Sequence, residues 1–234
     1  MRDGARVSVA VLDLGSGVTV SHGDGTFVTA SIVKVGILAA LLLGAQDAGR
    51  ELGGTERAYA EAMIVRSDND AASALWEGIG RAAGLDAANV RLGLTRTAGG
   101  EGTLWGVTRT TAEDQLVLLR QVFGGHSELG EAPRAYVRGL MARVVPEQAW
   151  GVPAAADAGT AWAVKNGWLP RDATGLWVVN SIGCVTAGGR ACLVSALSDG
   201  NVTKERGVAR VEGAVATALS ALDVRPRRSR TDRS

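Results

Sequence analysis

The 234-residue chain is 46% apolar and 21% charged, enough to bury the core of one domain with two lobes, and its net charge of +1 offers no global attraction to nucleic acid or anionic membrane. The longest apolar run, Val35 to Leu43, is too short to span a bilayer, and nothing ahead of it pairs a charged start with an apolar stretch as an export signal would. His22 and His126, like Cys184 and Cys192, lack metal-ligand spacing, so neither a metal nor a cofactor is expected.

In chain order, Arg6–Asp13 and Gly17–Ser21 are β-branched runs joined by Leu14-Gly-Ser-Gly17, a hairpin pattern. Val7, Val9 and Val11 alternate with Ser8, Ala10 and Leu12, so both faces of the first strand suit a sheet covered on both sides. His22 follows in a Gly/Asp loop and reads as a surface residue.

From Ser31 to about Val145 helical patterns dominate. Thr29–Gly44 is an apolar helix that contains Ser31 and Lys34, and Thr55 precedes a helix carrying Ala58, Ala62, Met63 and Ile64. Asp68 caps a helix through Ala71, Ala74, Leu75 and Trp76, and Thr110-Thr-Ala-Glu113 opens another as a capping box. Glu131–Val145 is amphipathic, while Gly93–Val107, rich in Gly and Thr, is a long loop of the kind that carries function or is disordered.

Strands return as Trp162–Gly167, Gly175–Val185 and Arg190–Leu197, and Gly207–Leu222 closes the chain as a helix. This order predicts an α+β fold: one antiparallel sheet from both chain ends, about 1–27 and 155–224, with an inserted helical lobe at about 28–154 and a cleft between them. Centring the last hairpin on Gly188 sets Cys184 opposite Cys192, where a disulfide or two buried thiols both fit. The last ten residues, 225–234, are strongly basic and read as a disordered, solvated tail, or as a polybasic contact site.

Three polar groupings interrupt this apolar context. Ser31 and Lys34, three residues apart on a helix, share one face, with Ser31 in the first turn where free N–H groups favour developing negative charge. Lys34, set among Val33, Val35, Ile37 and Leu38, should lose basicity by desolvation. Half-neutrality at pH 7 requires a drop of roughly 3 units, about 4 kcal/mol, which burial and a second cation can supply. The plainer reading makes Ser31 a helix cap and lets Lys34 reach the surface. Ser67-Asp-Asn69 lies between two helices, and Lys165-Asn-Gly167, followed by Trp168, ends a strand. Only three of the 25 basic residues are lysines, Lys34, Lys165 and Lys204, and a site that needs a titratable amine must keep lysine.

Ser31-x-x-Lys34, Ser67-Asp-Asn69 and Lys165-Asn-Gly167, in this order, resemble the signature of the class A β-lactamase and penicillin-binding-protein superfamily, over nearly the whole chain. The resemblance implies a two-lobed serine hydrolase acting on a β-lactam or peptidoglycan-peptide substrate, exported and monomeric. It makes Ser31 the acylated nucleophile, Lys34 the proton acceptor and Ser67 the relay to the leaving nitrogen. Asn69 would hold the substrate side-chain amide, Lys165 would bind its carboxylate and help depress Lys34, and the N–H groups of Ser31 and Trp168 would form the oxyanion hole. Asp68 is left to capping.

Three departures accompany the match. Asn166 stands where the family has a hydroxyl; with Gly167 it would line the substrate site, but an amide cannot pass a proton along. The segment Glu101-Gly-Thr-Leu-Trp105 matches the family's Glu-x-x-Leu-Asn with Trp105 at the asparagine position, so Glu101 is either the deacylation base or a chance acid in a glycine-rich loop. The family's N-terminal helix is missing ahead of Arg6, which would either leave apolar surface on Gly207–Leu222 or mean that residues upstream of Met1 belong to the protein. Slow deacylation is therefore expected. The alternative is a non-catalytic module that holds cell-wall peptides or a partner in the same cleft.

Overall fold

A computed structural model describes residues 4–224, so the basic tail lies outside the described residues. The chain forms β1 (Arg6–Asp13), β2 (Thr19–His22) and β3 (Phe27–Val28), a 3₁₀ turn at Ala30–Ile32, and helices α1 (Val33–Asp47), α2 (Gly54–Val65), α3 (Asn69–Gly78) and α4 (Arg81–Leu92). After a loop come β4 (Arg109–Thr110), α5 (Ala112–Phe123), α6 (Glu131–Met141), β5 (Ala163–Pro170), β6 (Trp177–Ala187), β7 (Arg190–Asn201) and α7 (Lys204–Val224). β2-β1-β7-β6-β5 form one antiparallel sheet in which strands from both chain ends meet at the β1–β7 pair. β5 is left at the edge, and β3 and β4 form a separate two-stranded ribbon.

The apolar alternation of β1 is used on both faces, as expected. Ala10 and Leu12 join the core shared with the helices, whereas Val9 and Val11 pack in a second core with Val211, Val215 and Leu219 of α7. α7 gains its place by this burial. Among the described residues the exposed large apolar side chains are Tyr59, Val90, Leu104 and Val202, so the expected bare surface on the last helix is absent. α1 is buried on nearly every side. Ala30–Asp47 is long and apolar enough to cross a bilayer, longer than the run read from the sequence, but 72% of it is buried inside the domain as its core helix.

Several local expectations shift by a residue or more, each for a physical reason. Ser31 belongs to the 3₁₀ turn, and α1 proper starts at Val33. The α5 cap is Thr111, whose side chain accepts from Asp114 N at 3.1 Å. No reciprocal box closes there, because the Asp114 carboxylate instead accepts from Arg96 N and Thr97 Oγ1 at 2.8 and 2.7 Å, tying the preceding loop to the helix. α6 stops at Met141 rather than Val145, since Val145 precedes a proline and adopts extended backbone. The turn at Gly188-Gly189 pairs Cys184 with Leu193 and Val185 with Cys192. Cys184 therefore packs toward the helical core and Cys192 toward the α7 core, and both are free thiols. Helix α4 escaped the sequence reading because Gly84 interrupts its pattern; a Cβ there would lie 1.6 Å from Ile79 O.

Candidate active site

The site lies where α1, the α2–α3 connection and the edge strand β5 converge. Ser31 is held there by its backbone. Asn180 of β6, fully buried, donates to Val28 O and Thr29 O at 2.9 Å each, while Thr29 N donates to Thr108 O at 2.8 Å. Ala30, immediately before Ser31, has φ of 47°, a strained value for a residue with a Cβ. Gly167 of β5 packs directly on this turn. A Cβ at Gly167 would lie 2.7 Å from Ser31 N and 2.8 Å from Ile32 N, so only glycine lets strand and turn approach this closely.

Lys34 is fully buried, and its Nζ donates to Ser67 O at 2.7 Å, Asn69 Oδ1 at 2.8 Å and Ser67 Oγ at 3.2 Å. Ser67 presents both its carbonyl and its hydroxyl because it takes a left-handed backbone, φ 58°. Asp68 then caps α3, its Oδ1 accepting from Ala71 N at 2.7 Å, as expected from its position. Lys165, also fully buried, donates to Ser67 Oγ at 3.0 Å, Asn166 O at 3.0 Å and Gln148 Oε1 at 3.4 Å. The Ser67 hydroxyl thus sits between two lysine amines.

Burial pushes the Lys34 amine down to about 7, with the Asp68 charge acting weakly in the opposite sense. Lys165 is lowered well below the ordinary lysine value, first by burial and then by repulsion from Lys34. The two buried amines repel one another, so a charge on Lys34 disfavours one on Lys165. Lys165 is also not an open carboxylate anchor, since its amine is covered and already bonded to three oxygens.

Lys34, Ser67, Asn69 and Lys165 are brought together by direct hydrogen bonds, and Gly167 abuts Ser31. The Ser31 hydroxyl itself makes no hydrogen bond among the described residues, and Lys34 directs its donors to the 67–69 segment. Asn166 turns away: its amide donates to Gln148 O at 2.7 Å and Trp150 O at 3.0 Å, while its buried Oδ1 has no partner among the described residues. Trp168 shares that side of β5, with ring centroids 5.8 Å from Trp150, and Lys204 Nζ lies 4.0 Å from its ring centre. Glu101 is exposed and bonded to none of these residues; the Trp105 ring instead lies 4.8 Å from Lys34 Nζ.

Sequence reasoning missed Asn180 and Gln148. Asn180 carried a signal, a lone amide in the apolar run Val178–Ile182. Gln148 carried none, because nothing local relates it to Lys165.

The model of the beta-lactamase enzyme family matches residues 54–221. "Putative lipoprotein LppW" of Mycobacterium tuberculosis and of Mycobacterium bovis is 30% identical over 173 residues, which are 71% of this chain and 55% of the relative. The chain thus spans about half the length of the curated relatives it matches. Among solved structures, PBP-A superposes with a TM-score of 0.80 at 22% identity, covering 96% of this chain and 92% of that one. A class A β-lactamase from Mycobacterium abscessus gives 0.78 at 22% identity, covering 94% and 95%. An ancestral class A β-lactamase gives 0.75 at 24% identity, covering 94% and 95%. These similarities establish the predicted β-lactamase-like α+β fold, and with the family match over more than two-thirds of its length, this chain belongs to the beta-lactamase enzyme family.

Proposed function

We propose that this protein is an active-site-serine amide hydrolase, acylated on Ser31 by β-lactams or by a D-Ala-D-Ala-like peptide end, and slow to release the acyl group. Lys34 carries the reading: a fully buried amine three residues from Ser31, with a pKa lowered to about 7, exists partly as a neutral proton acceptor near neutrality. In that form Lys34 takes the Ser31 proton while Oγ bonds to the substrate carbonyl carbon. The oxyanion is held by the main-chain N–H groups of Ser31 and Trp168. Collapse breaks the C–N bond, and the leaving nitrogen receives a proton handed from Lys34 through Ser67 Oγ, 3.2 Å away.

Main-chain groups alternate in direction along a strand, and Trp168 shares the direction of Asn166, whose carbonyl faces Lys165 Nζ; this supports Trp168 N–H as the second oxyanion donor. Asn69, its carbonyl occupied by Lys34, keeps its NH₂ for the substrate side-chain amide. Lys165 orients Ser67 and contributes positive potential whenever it is protonated, from beneath the substrate carboxylate. Asn166 and Gly167 shape the strand edge along which substrate lies. Exposed Glu101, unbonded to the rest of the site, supports slow deacylation. The family and the lipoprotein name of the mycobacterial relatives support export.

A chromogenic cephalosporin assayed with wild type, Glu101→Gln and Ser31→Ala tests this. A single burst, lost only in Ser31→Ala, is expected. Sustained turnover lost in both variants would identify a working lactamase instead. The Trp105 ring against Lys34 favours one second reading, a binding module without chemistry. It predicts ligand affinity unchanged in Ser31→Ala and no turnover of any ester or amide.

A further inference from the structure

We propose that Trp105 seals the Lys34 side of the site against water, so that an acyl group on Ser31 outlasts its formation; the latter effect rests on the reading of Ser31 above. Lys34 is fully buried, and its hydrogen-bond partners all come from one segment, Ser67 and Asn69. The Trp105 ring, 4.8 Å from Nζ, lies against it as well, an arrangement that attracts an ammonium and excludes solvent.

The indole is held by more than chance packing. Trp105 Nε1 donates to Ser73 Oγ at 3.1 Å, and Trp76, three residues further along the same face of α3, donates its Nε1 to Gly102 O at 2.9 Å. α3 therefore grips the loop at two points. The loop also folds tightly on itself: Leu104 N donates to Glu101 O at 3.0 Å, Gly100 N donates to Thr108 Oγ1 at 3.0 Å, and a Cβ at Gly100 would lie 2.1 Å from Leu104 O. This fold points Trp105 inward, leaving Glu101 exposed on the outside.

Deacylation requires a water oxygen to bond to the ester carbonyl carbon and the Ser31 Oγ–C bond to break. The water's proton passes through a base to Ser31 Oγ, releasing a carboxylic acid and the free hydroxyl. Lys34, a buried amine three residues along the chain from Ser31, is the group that would relay that proton, and the indole 4.8 Å from its Nζ covers it from solvent.

The test compares wild type with Trp105→Ala, Trp105→Phe and Ser73→Ala, each checked for folding by its thermal midpoint. In the ligand-free protein, Lys34 carbamylation by cyanate is followed by peptide mass. In the acylated protein, excess penicillin G is removed and the lifetime of the Ser31 adduct is read by intact mass. Trp105→Ala should label Lys34 and lose the adduct roughly tenfold faster, the scale set by a lost cation–π contact and opened access, whereas Trp105→Phe keeps a ring and stays near wild type. Equal labelling and equal adduct lifetimes in wild type and Trp105→Ala would overturn the seal and leave the Ser31 reading intact. Should wild type form no adduct, the Ser31 reading falls, and labelling alone decides the seal: faster in Trp105→Ala supports it, equal overturns it. If Trp105→Ala does not fold, Ser73→Ala, which frees only the indole N–H, decides in the same way.

Discussion

Lys34 and Lys165 share one hydroxyl, that of Ser67, so a proton on either amine is felt by the other. Protonated Lys34 has three N–H groups and three acceptors, Ser67 O, Ser67 Oγ and Asn69 Oδ1. Protonated Lys165 likewise has three acceptors for its three N–H groups, Ser67 Oγ, Asn166 O and Gln148 Oε1. In the proposed reaction Lys34 acts as the proton acceptor, so acylation must wait for its amine to deprotonate. The acylation rate is predicted to rise with pH through about 7, measured by stopped-flow adduct formation. Asp68→Asn keeps the α3 cap but removes the charge that favours the ammonium, so the same profile should move to lower pH. Stability follows with a definite sign. With its pKa lowered from 10.5 to about 7 on folding, Lys34 binds fewer protons in the native state than in the unfolded state between those values, so stability rises with pH across that window. The slope approaches about 1.4 kcal/mol per pH unit, with Lys165 adding in the same sense, and Lys34→Met should flatten it in denaturant melts between pH 7 and 10.

At the scale of elements, the site depends on how closely β5 approaches the Ser31 turn. Gly167→Ala would press a methyl group against Ser31 N and Ile32 N, forcing strand and turn apart. It should destabilise the fold by about 1–3 kcal/mol in denaturant melts and lower the acylation rate roughly a hundredfold, since a misplacement of about 1 Å has that effect. Thr111→Ala removes the buried cap of α5, which anchors the loop behind Trp105 through Asp114, and should cost about 1 kcal/mol by the same melts. Elements with strong local signals were legible in the sequence. The β1 alternation, the Asp68 cap and the apolar α1 segment each follow from short-range chemistry. Boundaries decided by a neighbour were not: the α6 end waits on Pro146, the hairpin register on a Gly-Gly turn, and α4 on the room that Gly84 leaves beside Ile79.

For the molecule as a whole, the α+β layout was legible because strand patterns at both chain ends enclose a helical stretch, and the sheet joins them at β1 and β7. Ser31, Lys34, Ser67, Asn69 and Lys165 could be picked out as polar residues in apolar surroundings. The direction of each side chain could not. Period-two alternation on β5 turns Asn166 toward Gln148 and Trp150, and the fold of the 100–105 loop sets Trp105, not Glu101, against Lys34. Both are outcomes of long-range packing between segments far apart in the chain. The central claim, that Ser31 is a nucleophile served by a neutral Lys34, is tested most directly by incubating wild type, Ser31→Ala and Lys34→Ala with penicillin G and locating any covalent adduct by peptide mass spectrometry. One penicilloyl group on Ser31 in wild type, absent from Ser31→Ala and formed far more slowly in Lys34→Ala, is the predicted result. An unmodified wild type after prolonged incubation with several penicillins, or an adduct on another residue, would contradict it.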